Sequence, residues 1–183
     1  ALKINDLENI KKILNEINFF FNGQKNDINN FLRIYINRNS TPLAQAASTN
    51  LTGSFSEKTR LYVILTQHFM NELTYKEQLA VVSHEYAHYY FEHTKIPYSR
   101  ITKRHPTENI DDKVFILNLK KWGICREISS DLCALQITKS YNATALALIK
   151  LETGIMKDAD IILTGLELYF NKLQNYHQSD VLK

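Results

Sequence analysis

Apolar residues recur at helical spacing from the first turns of the chain. Residues 5–21 place Leu7, Ile10, Ile13, Leu14, Ile17, Phe20 and Phe21 on one face behind an Asn5/Asp6 cap signal. That stripe predicts an amphipathic helix packed into a core. After a polar turn at Asn22–Asp27 the pattern changes. Phe31–Asn37 (FLRIYIN) and Arg60–Thr66 (RLYVILT) are rich in β-branched and aromatic residues and read as strands. Leu43–Thr49 (LAQAAST) is a shorter strand candidate made of small residues, followed by a turn at Asn50–Lys58 around Gly53. Gln67–Leu73 predicts a short helix that leads into Thr74–His93 (TYKEQLAVVSHEYAHYYFEH). There Thr74 and Glu77 have capping-box spacing, and Leu79, Val82, Tyr86, Tyr89 and Tyr90 continue an apolar stripe.

Beyond His93 the polar stretch Thr94–Ile110, with Pro97 and Pro106, predicts a long loop. Asp111–Trp122 follows as a helix with acidic residues first and lysines last, as the helix dipole prefers. Gly123 is expected to break it before a second helix at Ile124–Lys139, with two more at Asn142–Leu151 and Ala159–Tyr176. The expected architecture is α+β: a small, mostly antiparallel sheet packed with helices. At 183 residues the chain is long enough for one domain with a proper core, and all of 1–183 is read as that domain. Within it, residues 1–93 carry the first helix, the sheet and the Thr74 helix, and 94–183 carry the loop and the later helices.

Composition narrows the function classes. The net charge of +3 is small, and the densest basic stretches, Ser99–His105 and Lys120-Lys121, fit solvated surface, so no nucleic-acid partner is expected. The longest apolar runs fall well short of the roughly 20 residues of a membrane span. Cys125 and Cys133, eight apart on one helix, would lie about 12 Å from each other, too far for a disulfide, so both are expected as free thiols. The chain starts at Ala1 without Met or an apolar leader, as expected of a processed or trimmed sequence. A soluble protein of the cytoplasm, the periplasm or the secreted fraction fits equally.

The chemistry concentrates in His84-Glu85-Tyr86-Ala87-His88, an HExxH pentapeptide. Histidines four apart share one helix face, where both imidazoles reach one metal ion. Glu85 is turned aside from that pair, placed to touch water at the metal. Zinc bound by two histidines normally takes a third protein ligand and keeps one position for water. Arg126-Glu127-Ile128-Ser129-Ser130-Asp131 is a good supplier, because Glu127 and Asp131 share a face and Ser130 is small enough for close helix approach. Asp131 is placed to accept the N–H of a ligating histidine. His93 would fall on roughly the opposite face of a continuous helix, a structural rather than a liganding position.

HExxH followed by a separate Glu-x-x-Ser-Asp helix resembles the gluzincin zinc peptidases and, within them, the M48 family. The resemblance covers about 31–151 and is strongest over 60–93 and 124–151. It implies a zincin-like fold, one zinc ion per chain held by His84, His88 and Glu127, and Glu85 as the general base of peptide hydrolysis. The partner implied is a protein or peptide substrate lying along an edge strand. Gln45, Ala46 and Ala47 stand where the family has an Asn-Ala-aromatic-Ala stretch. The family's His-Pro and Arg-Ile after the Glu helix have no counterpart here, since His105-Pro106 precedes that helix. The group stabilising the tetrahedral intermediate is therefore open among His177, Tyr141, Tyr98 and His105. Two alternatives to a general zinc endopeptidase share the same residues: a secreted bacterial effector or toxin-like metalloprotease cleaving one host protein, and an inactive zinc-stabilised binding module. The intact Glu85 argues against the last, because a structural site has no need of it.

Overall fold

The computed structural model describes residues 4–21, 32–37, 44–49, 60–96, 110–168 and 171. In chain order these form α1 (Ile4–Phe21), β1 (Leu32–Asn37), β2 (Ala44–Thr49), β3 (Arg60–Thr66), α2 (Gln67–Glu72), α3 (Tyr75–Tyr90), a 3-10 turn at His93–Lys95, α4 (Ile110–Thr138) and α5 (Tyr141–Thr153). Residues 159–168 are also helical. The turns expected at 22–27 and 50–58, and the end of the last predicted helix, lie outside the described residues, as does most of the predicted loop.

α3 is the hub. It packs against α1, α4, α5, β2 and β3. Leu79, Ala80, Val81, Val82, Ser83, Ala87 and the first liganding candidate, His84, are all buried, so this helix is covered on every side rather than along one stripe. α1 covers it with Ile13 and Ile17, both fully buried, and adds a hydrogen bond of 2.6 Å from the Tyr75 hydroxyl to Glu16. At its N-terminus the capping box is present, with Glu77 accepting from the Thr74 backbone N–H at 2.7 Å. Gln78 donates from Nε2 to the carbonyls of Met70 and Leu73, satisfying acceptors at the end of α2. Lys150 of α5 pairs with the buried Glu77 at 2.6 Å and pins that helix to the start of α3.

Two expectations about the elements fail. The sheet is not mostly antiparallel. Its order is β1-β3-β2, with β1 parallel to β3 and only β2 antiparallel to it. Nor is the molecule the α+β, zincin-like architecture expected: helices make up most of the described residues, and the sheet is a minor element of three short strands. Residue pattern marks a strand but carries no direction, and β1 and β2, neighbours in sequence, both pair with β3 rather than with each other. The second failure is at Gly123, which does not break its helix: α4 runs through it for 29 residues, about 43 Å. An isolated glycine costs a helix only about 1 kcal/mol relative to alanine. Ile116, Leu119, Ser130, Cys133, Ala134 and Ile137 bury one continuous face across that point, which outweighs it. Both cysteines are free, Cys133 buried and Cys125 exposed. No helix among the described residues is long and apolar enough to cross a membrane.

Candidate metal centre

α4 runs antiparallel to α3, so that Asp131 meets His84 and Glu127 meets His88 one turn further along. Small residues permit the approach: Ala80, Ser83 and Ala87 on α3 and Ser130 and Ala134 on α4 are fully buried. At this seam His84 Nε2 and His88 Nε2 are 3.0 Å apart. Glu127 Oε2 lies 3.2 Å from His88 Nε2 and 3.5 Å from His84 Nε2. A metal held tetrahedrally through bonds of about 2.0–2.1 Å separates its ligand atoms by roughly 3.3 Å. The three distances bracket that value. His84, His88 and Glu127 are thus a candidate metal-binding triad.

The outer nitrogens are held too. His84 Nδ1 faces Asp131 Oδ1 at 2.8 Å; since a carboxylate only accepts, the ring donates there from Nδ1, and in its neutral form it leaves the Nε2 lone pair directed at the triad. His88 Nδ1 lies 3.0 Å from His93 Nδ1, where one ring donates and the other accepts. His93 reaches this place because α3 ends at Tyr90. Glu92 then takes a left-handed conformation (φ 59°) and turns the chain back. The expectation that His93 lies on the far face of the helix is therefore wrong, and the reason is that early reversal.

Charge follows geometry. Burial opposes protonation of His84, but hydrogen bonds to Asp131 and Glu127, with the charges of Glu85 and Asp131, push its pKa up to about 9. Hydrogen bonds from His84 and His88 hold the Glu127 carboxyl well below the usual carboxylate range, against the opposing effect of burial. Burial, His88 and the Arg126 cation lower His93, which favours it as a neutral acceptor for His88. Two imidazole lone pairs and a carboxylate oxygen converging on one point form a donor set that asks for a cation. In the metal-free protein a proton on His84 serves.

Glu85, half-buried, follows His84 by one residue and so projects about 100° further round α3. Ile128 stands in the same relation to Glu127, and in an antiparallel pair these two positions emerge on the same side. Ile124 and Ile128 are 61% and 51% exposed there, apolar surface beside the triad. Arg126 emerges on the other side. It donates from Nε to Glu127 Oε1 at 2.9 Å and lies over Trp122.

The other predicted residues are dispersed. Gln45, Ala46 and Ala47 lie in β2, an edge strand of the described sheet that packs near α3. Tyr141 opens α5 with its side chain 55% exposed, eleven residues of helix and a turn beyond Glu127 along the chain, and takes part in none of the triad's contacts among the described residues. Tyr98, His105 and His177 lie outside the described residues. Arg126 and Trp122 were not anticipated. Adjacency to Glu127 was the available signal for Arg126, and nothing in the spacing marked Trp122. No protein-family model, curated protein or solved structure matches this chain.

Proposed function

We propose that the chain is a zinc-dependent endopeptidase of the gluzincin kind, similar to the M48 peptidases. The observation that carries the proposal is the convergence of His84 Nε2, His88 Nε2 and Glu127 Oε2 within 3.5 Å of one another, with Glu85 one residue from the first ligand. Two imidazoles and one carboxylate are the donor set of hydrolytic zinc sites. Zinc bound there supplies Lewis-acid polarisation and acidifies water near neutral pH. Asp131 and His93 fix the two rings so that both Nε2 atoms stay aimed at one point. Glu85 takes the proton from the attacking water and passes it to the departing amine. The outer edge of β2 would offer backbone hydrogen bonds to an extended substrate, and the exposed Ile124 and Ile128, on the helix that carries Glu127, would offer apolar contact. An unfolded or extended polypeptide fits this arrangement better than a small molecule does.

The test is to incubate the zinc-loaded protein with an unfolded protein substrate and identify new chain termini by mass spectrometry, with Glu85→Gln as control. New termini with the parent protein, lost in a variant that still holds zinc, are expected. Equal cleavage by the variant would refute Glu85 as the base, and no cleavage by the parent across varied substrates would refute the peptidase assignment.

A further inference from the structure

Behind Glu127, on the side of α4 away from Glu85, Arg126 and Trp122 form a wall against His93, and the proposed hydrolysis assigns neither of them a role. Arg126 donates from Nε to Glu127 Oε1 at 2.9 Å. Its guanidinium carbon lies 5.6 Å from the centre of the Trp122 ring, and that ring meets His93 edge-on at 6.3 Å. Two constraints act on the guanidinium at once. Cation–π contact with the indole settles its place, and a charge-assisted N–H···O bond ties one carboxylate oxygen to it. A glutamate that can rotate about its last bond offers a metal one oxygen or both. In this protein Oε1 is engaged by Arg126, while Oε2 alone faces the two imidazoles.

We infer that Arg126, held over Trp122, is a positioning residue that restricts Glu127 to ligation through a single oxygen. The inference rests on the metal-site reading of His84, His88 and Glu127. Arg126 stands about 200° from Ile128 around α4, facing away from the side on which Glu85 emerges, so it acts through Glu127 and not on substrate. A lysine would not replace it, because an ammonium is a point charge without the planar fork.

Cobalt(II) in place of zinc tests this without any turnover, since its visible bands weaken as coordination rises from four to five. The parent protein is expected to give strong, four-coordinate bands. Arg126→Met, which keeps most of the stem but no donor, should give weaker five-coordinate bands and lose about tenfold in Zn2+ affinity by chelator competition, the scale typical of outer-layer partners of metal ligands. Arg126→Lys should fail to restore the parent spectrum, and it stands in should the methionine variant not fold, as judged by far-UV circular dichroism. Trp122→Leu should change the spectrum in the same direction, but less. Parent-like spectrum and affinity in Arg126→Met, or full rescue by lysine, would overturn the role of Arg126 and leave the metal site standing. A parent protein that takes up neither Co2+ nor Zn2+ would overturn both.

Discussion

His84 is a buried imidazole with a carboxylate at each ring nitrogen, Asp131 at Nδ1 and Glu127 at Nε2. Its pKa in the metal-free protein is raised to about 9, so these contacts stabilise the fold fully below about 6.5, and that contribution is lost as pH rises through 9. Zinc uptake at pH 7.5 must then expel the proton on His84. Calorimetry of zinc binding in two buffers of different ionisation enthalpy should show release of about one proton, whereas a buffer-independent enthalpy would contradict the coupling. Asp131→Asn keeps the shape but removes the charge that holds the ring, and should weaken zinc binding by about 10–100-fold in a chelator competition assay. At this scale the sequence was informative. HExxH spacing and a Glu and Asp four apart pick out four side chains that the structure brings together, His84, His88, Glu127 and Asp131, since both patterns depend only on helix periodicity. His93 was misplaced because its position depends on a left-handed Glu92, which no residue type there announces.

Between elements, the decisive contact is the α3–α4 seam. Ser83 and Ser130 are fully buried, and neither hydroxyl oxygen has a hydrogen-bond partner among the described residues. Their value lies in being small. Ser130→Ala should therefore be neutral or slightly stabilising in thermal unfolding, because it removes a buried unpaired oxygen. Ser130→Leu should destabilise by about 1–3 kcal/mol and weaken zinc binding as well, since it forces the carboxylate helix away from the histidines. A leucine variant with unchanged zinc affinity would show that the seam does not set the ligand spacing. Lys150→Met leaves the Glu77 carboxylate, only 3% exposed, without its cation and should cost about 3 kcal/mol in denaturant unfolding. The Thr74–Glu77 cap was readable because it is local, three residues apart. Its pairing with Lys150 was not, because 73 residues separate the partners.

For the molecule as a whole, the sequence showed most of the helices and where the strands lie, but not how the strands pair. The sheet's mixed order, with β1 and β2 on the two edges of β3, is a tertiary matter that residue alternation does not encode. The uninterrupted α4 was hidden by Gly123 for a similar reason, since the burial that carries the helix through it comes from neighbours distant in sequence. That continuity has a functional consequence. One continuous helix carries Glu127, Asp131, Arg126 and Trp122, so the candidate ligand and the side chains that hold it share a single element facing the histidine helix. The central claim is that two histidines of one helix and a glutamate of another hold one zinc ion. Native mass spectrometry of the purified protein, with Glu127→Ala alongside, tests it most directly: one zinc per chain in the parent and loss of zinc in the variant are predicted, and a zinc-free parent or a variant that retains zinc at parent affinity would contradict it.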